Sequence, residues 1–413
     1  MITLLQYLMT LVVLQISLNA FIVAFTPPSS SIRLAVLPLI VICVYQVLPK
    51  CMEATGKVIW AALLGAHSIS FLFQYIDTAL LSKWSAEVGG PTAGRAIETV
   101  HDQRVPMATW DGLRFGYRAA VSTRNLGTPF EVSGIPQFSS KDPSYVPSKA
   151  AFLRQKAVHL LSCYLVLDIL TFASQPDQNQ VLYNKSRIST ANPNNRSVEQ
   201  LTIRSASTLG FWVSLFCIIQ AYMGSMAFLS VALGFSQVES WRPGFGPISE
   251  AYTVRRFWGT FWHMYQKQKM SSPASFITND LLHLPKGTSA SRYTHLFITF
   301  FISGLIHALT DLAEGLAWQD SGSIRFFCTQ AIGILVEDAI QTIFCRALPG
   351  KEASQYRRLS ESLGYVWVFV FMVWSTPIWI YPSLYENRGE EKDLIVPYSI
   401  VGRIYEALDA SQT

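Results

Sequence analysis

The stretch RYTHLFITFFISGLIHALTDLAEG, residues 292–315, decides the class of fold. Its apolar centre is long enough to cross much of a bilayer core of about 30 Å as a helix. Polar residues nevertheless interrupt it at Ser303, His307 and Asp311. Polar and ionisable groups are costly inside a membrane, so each of the three is a candidate functional residue. The stretch therefore indicates a membrane helix that holds polar chemistry.

Further apolar runs extend this interpretation to the whole chain. They lie near residues 3–25, 34–49, 58–81, 157–173, 207–235, 324–345 and 363–382. Of the 413 residues only 14% are charged, whereas a soluble domain has about a quarter. These patterns predict an all-α polytopic membrane protein with about eight transmembrane helices.

Individual runs differ in length and character. The first has no basic region before it, which favours a retained helix over a cleaved signal peptide. The second and fourth are short for a bilayer, and the fifth is long enough to be tilted or broken at Gly224. A weaker apolar stretch near 394–405 is typical of a re-entrant or interfacial segment. The six cysteines have no paired spacing, which favours small buried hydrophobic roles over disulfides or metal ligation.

Charge in the gaps predicts one topology. Basic residues are in excess in 83–155, 236–292 and 346–358, which places these gaps in the cytosol. The gap 311–320 is acidic, and 174–206 contains glycosylation sequons at Asn184 and Asn195, so both fit the lumen. One crossing per run then puts the N-terminus in the lumen. We expect a single integral-membrane domain over 1–413, in the endoplasmic reticulum, with cytosolic or interfacial segments 83–155 and 236–292.

The net charge of +5 does not indicate a nucleic-acid partner. No basic domain stands apart from the apolar runs, and basic cytosolic loops that face anionic lipid explain the excess. The bilayer is therefore the expected macroscopic partner, and the sequence says nothing of an oligomer.

His307 is the strongest candidate for chemistry. Ser303 and Asp311 lie four residues before and after it, so the three share one helical face. Neutral imidazole removes protons near pH 7, and a carboxylate one turn away can hold its tautomer. Gly304 permits close approach of another helix or of a substrate. The alternative is structural: His307 bonds a neighbouring helix and Asp311 marks a helix end.

A second acidic pair, Glu337 and Asp338 in GILVEDAIQ, lies in the seventh run. Buried carboxylates require partners, and His307 or an arginine can supply one. A catalytic orienting role and a purely structural network remain equally open on this evidence.

The stretch RRFWGTFWHM, residues 255–264, combines arginines, aromatics and a histidine. Trp258, Trp262 and the phenylalanines can anchor the segment at the bilayer interface. Alternatively, Arg255 and Arg256 bind phosphates, and His263 lies at the mouth of a cavity that leads to His307. Both interpretations can hold together: the tryptophans anchor the segment at the membrane, and its polar groups line the entrance of the cavity.

Four stretches together resemble the wax synthase-like branch of the membrane-bound O-acyltransferases, which includes fungal acetyltransferases that decorate terpenoids and meroterpenoids. They are LGTPFEV (126–132), FGPISEAYTVRRFWGTFWH (245–263), FISGLIHAL (301–309) and FFCTQAIGILVEDAIQ (326–341). The resemblance covers most of 100–345. Residues 124–128 read RNLGT where the family often has an RGIGT-like run, so we assign no role there.

The resemblance implies a multi-helix fold that encloses an acyl-transfer tunnel, with acyl-CoA entering from the cytosol and a lipophilic alcohol from the membrane. It makes His307 the general base and gives His263 an auxiliary role. Asp311, Glu337 and Asp338 become possible orienting carboxylates. Arg255, Arg256, Trp258 and Trp262 become candidates for the acyl-CoA entrance. No tightly bound cofactor or metal is implied; acetyl-CoA, or another acyl-CoA, is a co-substrate.

Direct transfer requires only a base and oxyanion donors, because the thioester is already activated. The sequence has no G-x-S-x-G elbow, no H-E-x-x-H site and no Gly-rich phosphate loop. The resemblance to fungal members favours acetyl transfer to a terpenoid or meroterpenoid hydroxyl in secondary metabolism.

Three alternatives stay open: a wax ester synthase acting on long-chain alcohols, a proton-coupled transporter that uses His307 as a relay, and a non-catalytic scaffold. The absence of two similar halves counts against the transporter.

Overall fold

The structure is a computed structural model that describes residues 2–93, 109–173, 198–347, 357–386, 396 and 398–410. Both sequons, Asn184 and Asn195, lie outside the described residues, as do parts of the predicted segments 83–155 and 346–358. Within the described part the chain is helical, and its only β-type pairing is a single bridge between Ser85 and Gly90.

Fourteen α-helices are described. They are α1 (Ile2–Phe25), α2 (Ile32–Val47), α3 (Cys51–Thr55), α4 (Val58–Tyr75), α5 (Trp110–Val121), α6 (Lys149–Ala173), α7 (Val198–Ala232), α8 (Val254–Arg256), α9 (Lys267–Ser275), α10 (Ser289–Ala313), α11 (Ser323–Ala347), α12 (Arg357–Ser375), α13 (Pro377–Glu386) and α14 (Ile400–Ala410). Short 3₁₀ helices cover Leu48–Lys50, Val238–Trp241, Ile248–Glu250 and Trp318–Asp320, and π-helices cover Ile76–Leu81, Phe257–Phe261 and Phe276–Leu281.

Eight of the described helical stretches are long and apolar enough to cross a bilayer, which confirms the predicted all-α polytopic fold. They are Ile2–Phe25, Ile32–Thr55, Val58–Leu81, Lys149–Phe172, Leu201–Ala232, Ser289–Ala313, Trp318–Ile343 and Arg358–Pro382. Apolar side chains on several of them face outward, for example Phe21 (50% exposed), Tyr45 (74%) and Trp60 (56%). Such exposure is costly in water and natural in lipid.

Two expectations about helix length were wrong. The second and fourth spans are not short: each covers 24 residues, because helix continues past the apolar run into polar residues. Of the two alternatives for the fifth span, a break at Gly224 is wrong, since α7 runs for 35 residues without interruption, and a tilt stays a prediction. Gly224 instead lies against Leu160 of α6, where an added Cβ would be 3.2 Å from the leucine side chain. The glycine therefore serves close helix packing.

One compact unit comprises Met1–Pro136, Gly244–Val368 and Ile378–Gly389. Its core packs α1, α2 and α4 against one face of α10, through residues such as Leu8, Val47, Ile69, Ile302 and Ile306. On the same helix, His307 meets Phe327 of α11 and Trp379 of α13, and Asp311 bonds to Ser321 and Ser323 at the start of α11.

Two helices of this unit end in the same way. The π-helices Ile76–Leu81 and Phe276–Leu281 close with hydrogen bonds from Ser82 N to Asp77 O and from Leu282 N to Ile277 O. Each is followed by a non-glycine residue in the left-handed region, Lys83 at φ 50° and His283 at φ 54°. The left-handed residue stops each helix abruptly.

The other unit comprises Gln137–Pro243, Phe369–Pro377 and Glu390–Thr413. Its framework is the long pair α6 and α7. Asp168 of α6 is fully buried and accepts hydrogen bonds from the N–H groups of Ile400 (2.8 Å) and Val401 (3.0 Å), so it caps the start of α14. The expectation of a single integral-membrane domain over 1–413 stays a prediction.

Candidate active site

The imidazole of His307 is held in one tautomer by its own helix. Its Nδ1 lies 2.7 Å from the carbonyl oxygen of Ser303, one turn earlier in α10. A carbonyl can only accept, so Nδ1 carries the proton and Nε2 presents a lone pair. Nε2 has no hydrogen-bond partner among the described residues. The backbone therefore prepares His307 to accept a proton at Nε2 without a carboxylate partner.

Aromatic rings surround the same imidazole. The Phe327 ring lies 4.3 Å from it at 31°, and the Trp379 ring lies 5.1 Å from it at 88°. Trp379 also stacks on Phe326 at 5.3 Å. Sequence reasoning missed both Phe327 and Trp379, because an aromatic residue inside an apolar run gives no sign of which ring it will meet.

Two glycines allow the backbones to approach closely enough for these contacts. A Cβ on Gly304 would lie 2.8 Å from Cα of Ile324, at the start of α11. A Cβ on Gly322 would lie 1.7 Å from the carbonyl oxygen of Ile378, the residue before Trp379. Neither position accepts a side chain without a backbone shift. The expectation that Gly304 permits close approach of a helix agrees with this packing.

Asp311 bonds to a loop rather than to His307. Its Oδ2 accepts hydrogen bonds from the hydroxyls of Ser321 (2.6 Å) and Ser323 (2.7 Å), and the carboxylate is 4% exposed. These bonds tie the end of α10 to the start of α11. The structure thus shows no hydrogen bond through which Asp311 orients the imidazole, and the Ser303 carbonyl occupies the nitrogen that it would need.

Glu337 holds the backbone of the aromatic stretch. Its Oε1 accepts from the N–H of Val254 (2.6 Å) and from Nε1 of Trp367 (2.8 Å), and its Oε2 accepts from the N–H of Arg255 (3.1 Å). A side chain on α11 therefore caps the free N–H groups at the start of α8.

Asp338 holds the same stretch through its side chains. Its carboxylate accepts two hydrogen bonds from the Arg255 guanidinium, from Nε at 3.1 Å and from Nη2 at 2.5 Å. It also accepts hydrogen bonds from Nη2 of Arg292 and from the hydroxyl of Tyr293, both at 2.9 Å. The Arg255 guanidinium is thus committed to a carboxylate, which argues against its role as a phosphate ligand. Neither Glu337 nor Asp338 bonds to His307.

Arg256 is also engaged. It forms an ion pair with the carboxylate of Glu250, donates from Nε to the Glu250 carbonyl at 3.2 Å, and lies 4.6 Å from the ring centre of Tyr252. Its side chain remains 38% exposed, so a phosphate could compete for it only by displacing Glu250.

The tryptophans of the aromatic stretch point into the protein. Trp258 meets Phe300, Phe326 and Phe327 with ring centres 5.6–6.3 Å apart, and its Nε1 donates to Oε1 of the buried Gln330 at 3.2 Å. Trp262 is 6% exposed and stacks on Phe257 at 5.6 Å. Trp262 is therefore buried and Trp258 half-buried among internal aromatic partners. Their roles as an interfacial anchor and at the acyl-CoA entrance stay predictions.

His263 lies close enough to His307 to be influenced by its charge. Burial, and second the nearby His307, lower the pKa of His263 to about 3, so its ring is neutral at physiological pH. Its Nδ1 is buried and has no hydrogen-bond partner in the described part of the chain. His263 and His307 lie in the same compact unit, and the auxiliary role of His263 stays a prediction.

The sequence did not predict that the side chains of Tyr265 and Arg124 stack in succession next to His263. Tyr265 stacks on His263 at 5.9 Å, and the guanidinium of Arg124 lies 4.9 Å from the Tyr265 ring centre. Gly244 makes room for the tyrosine, because a Cβ there would lie 2.2 Å from its hydroxyl. The only sequence signal was the RNLGT motif itself, to which no role could be given.

A second buried polar cluster lies on α4 and α9. Lys269 is 2% exposed; its Nζ donates to the hydroxyl of Ser70 and lies 5.9 Å from the Phe71 ring. Burial lowers the pKa of Lys269 to about 7, against a smaller opposing effect of Asp77. The described residues contain no cluster of histidine, cysteine, aspartate or glutamate that could hold a metal ion.

Comparison with known proteins decides the family. Residues 241–329, which span both histidine motifs, match the model of the membrane bound O-acyl transferase family. The chain is 30% identical to the acetyltransferase fsoF of Humicola fuscoatra over 92% of its length and 97% of the relative, and 32% identical to the acetyltransferase aurG of Calcarisporium arbuscula over 91% and 93%. The chain belongs to the membrane-bound O-acyltransferase family.

Similarity extends to the acetyltransferase atnC of Arthrinium sp., which is 27% identical over 94% of this chain and 89% of the relative. The membership confirms the predicted enzyme class: the protein is a multi-pass membrane acyltransferase, with an acyl donor and an acceptor as substrates. It also sets aside the transporter and the scaffold. The tunnel that the resemblance implied remains a prediction.

Proposed function

We propose that this acyltransferase moves an acetyl group from acetyl-CoA to a hydroxyl of a lipophilic terpenoid or meroterpenoid alcohol in secondary-metabolite biosynthesis. The observation that carries the proposal is the state of His307, with Nδ1–H bonded to Ser303 and Nε2 unpartnered among aromatic rings. A base that is ready for a proton in an apolar setting suits an alcohol more than a charged acceptor.

The reaction needs no covalent enzyme intermediate. Nε2 of His307 takes the proton of the alcohol as its oxygen attacks the thioester carbon, and a new C–O bond forms. The tetrahedral oxyanion then collapses, the C–S bond breaks, and the CoA thiolate receives the proton from the imidazolium. The products are the ester and free CoA, and His307 returns to its starting state.

Acetyl is favoured over a longer acyl group by the relatives. The three compared proteins are all named acetyltransferases, and two of them are at least 30% identical over more than nine-tenths of this chain. Transfer of a fatty acyl group to a long-chain alcohol uses the same chemistry, so a wax ester synthase is the second candidate.

The neighbouring groups support the base in different ways. His263 is neutral and can act as a hydrogen-bond partner to a substrate or to the oxyanion region, not as a cation. Glu337 and Asp338 act on His307 only indirectly, by fixing the segment that contains Trp258 and His263. Arg256 contributes to CoA phosphate binding if its ion pair with Glu250 opens. We place the enzyme in the endoplasmic reticulum membrane, with acyl-CoA bound from the cytosolic side.

The test uses microsomes from cells that express the full chain. Labelled acetyl-CoA or palmitoyl-CoA is supplied with a panel of terpenoid and long-chain alcohols, and the esters are identified by mass. We expect acetyl esters of terpenoid alcohols. Formation of palmitoyl esters alone would overturn the choice of acetyl.

The His307→Ala variant tests the base. We expect transfer to fall at least about 100-fold, with membrane abundance equal to that of wild type. His159→Ala removes a histidine from α6 in the other unit and serves as the matched control. Full transfer by His307→Ala would show that another group removes the proton.

A further inference from the structure

The surroundings of His307 restrict where an alcohol can lie. The Nδ1 edge of the imidazole is closed by the Ser303 carbonyl, and the Phe327 ring covers one face at 4.3 Å. Trp379 meets the imidazole nearly at right angles, 5.1 Å away. An alcohol must therefore approach the Nε2 edge of the imidazole, and it then lies beside the Phe327 and Trp379 rings.

Distance makes contact with the rings unavoidable. An alcohol oxygen that donates to Nε2 lies about 3 Å from that nitrogen. The carbon skeleton behind this oxygen is several ångströms wide, whereas the Phe327 and Trp379 ring centres are only 4.3 and 5.1 Å from the imidazole centre. Any lipophilic acceptor placed for proton transfer consequently touches at least one of them.

Burial indicates which ring is reached. Phe326 is 0% and Phe327 2% exposed, so both are closed off by protein. His307 and Trp379 are only half-buried. Of these four residues, only His307 and Trp379 keep exposed surface, so an acceptor that reaches the group contacts the imidazole and the indole rather than Phe326 or Phe327.

We propose that Trp379 is the specificity-determining residue for the acceptor, and that it seats a rigid fused-ring alcohol with the reacting hydroxyl at Nε2 of His307. The inference rests on the proposed function and names the shape that this site selects. A flat indole matches a flat, stiff skeleton over its whole area, whereas a flexible chain must lose rotational freedom to lie against it. Trp379 thus favours fused-ring alcohols over linear ones of similar hydrophobicity.

The backbone of α13 positions the indole. Trp379 stacks on Phe326 with ring centres 5.3 Å apart. Ile378, the residue before it, lies so close to Gly322 that a Cβ at 322 would be 1.7 Å from the Ile378 carbonyl oxygen. A side chain at 322 must displace the segment that contains Trp379. Gly322→Ala is therefore a second way to disturb the indole without altering any ring.

The experiment compares acceptors at a fixed, saturating acetyl-CoA concentration. Wild type, Trp379→Ala, Trp379→Phe and Gly322→Ala are assayed in microsomes with a fused-ring terpenoid alcohol and with a linear long-chain alcohol. For Trp379→Ala we expect kcat/KM for the fused-ring alcohol to fall about 10-fold or more relative to the linear one, the scale of one lost apolar pocket contact. Trp379→Phe and Gly322→Ala should change the same ratio in the same direction, by less.

Controls separate acceptor binding from other causes. KM for acetyl-CoA and the preference for acyl-chain length should be unchanged in every variant. Trp374→Ala removes a tryptophan that is 56% exposed and should alter nothing. If Trp379→Ala does not accumulate in the membrane, the Phe and Gly322 variants give the decisive ratio.

Three outcomes contradict the inference. An unchanged ratio of fused-ring to linear alcohol in Trp379→Phe and Gly322→Ala shows that the indole does not select the acceptor. A changed acyl-chain preference with an unchanged acceptor ratio assigns the ring to the donor. Failure of wild type to acylate any alcohol refutes the proposed function itself, and the inference with it.

Discussion

At the scale of single residues, His263 and His307 differ in their hydrogen bonding. His307 has its tautomer fixed by the carbonyl of Ser303, and its second nitrogen is unpartnered. His263 is packed between Phe245, Trp262 and Tyr265 and has a pKa of about 3. We therefore expect His307, and not His263, to exchange protons during turnover.

This difference predicts a pH profile. Because the pKa of His263 is about 3, this side chain stays neutral from pH 5 upward and contributes no step to activity there. We expect His263→Asn to lower kcat. In a plot of kcat/KM against pH, the fall in activity on the acid side should occur at the same pH in the variant as in wild type. The measurement is acetyl transfer against pH for both proteins; a displaced acid limb in the variant would assign the titration to His263.

Lys269 supplies a prediction about stability. Burial lowers its pKa from 10.5 to about 7, so between these values the unfolded state binds more protons than the folded state. The penalty is complete below pH 7 and is removed as pH rises toward 10. We expect the melting temperature of detergent-solubilised protein to rise from pH 7 to pH 9 less steeply in Lys269→Met than in wild type.

The matched control for that measurement is Lys286→Met, since Lys286 is exposed. Its pH dependence should match that of wild type. Equal slopes for wild type and Lys269→Met would show that Lys269 keeps its proton in the folded protein throughout this range.

At the scale of elements, α11 organises the site from both ends. Near its start Phe327 packs on His307, and further along Glu337 and Asp338 hold α8. The aromatic stretch thereby reaches the interior of its unit, where Trp258 bonds to Gln330. Part of a segment that looked suited to the membrane surface is thus internal, because side chains of α11 accept hydrogen bonds from its polar groups.

Removal of one cap should therefore act on catalysis at a distance. Glu337→Ala leaves the N–H groups of Val254 and Arg255 and the indole N–H of Trp367 without their acceptor. We expect kcat to fall about 10–100-fold, because small misplacements near reacting groups have effects of this size. KM for acetyl-CoA should change little.

The control is Glu239→Ala, which removes an exposed carboxylate from the predicted cytosolic segment 236–292, the segment to which Glu337 bonds. A large rise in KM for acetyl-CoA in Glu337→Ala, with kcat retained, would contradict a positioning role at the reacting groups. It would place the action of Glu337 at the donor entrance instead.

At the scale of the whole molecule, the alternation of charge in the gaps predicts which side each helix end faces. The two ends of α10 provide the sharpest test. Lys286 lies before it and Gln319 after it, and both are exposed. By the positive-inside rule the first is cytosolic and the second lumenal.

We expect Lys286→Cys to react with a membrane-impermeant maleimide in sealed microsomes, and Gln319→Cys to react only after permeabilisation. The wild-type chain, whose described cysteines are buried or partly buried, sets the background. Labelling of Gln319→Cys in sealed microsomes would reverse the predicted topology.

The lengths and spacing of the apolar runs determined the membrane class and the eight spans, because a bilayer imposes length and apolarity on each helix separately. The position of His307 inside such a run made it a candidate, and the family resemblance implied its role as the base. The partners of the polar residues were decided only by tertiary structure. Asp311 bonds to serines, Glu337 and Asp338 bond to the aromatic stretch, and Trp379 faces His307. Those contacts join residues far apart in the chain, and helix packing, not local sequence, brings them within bonding distance.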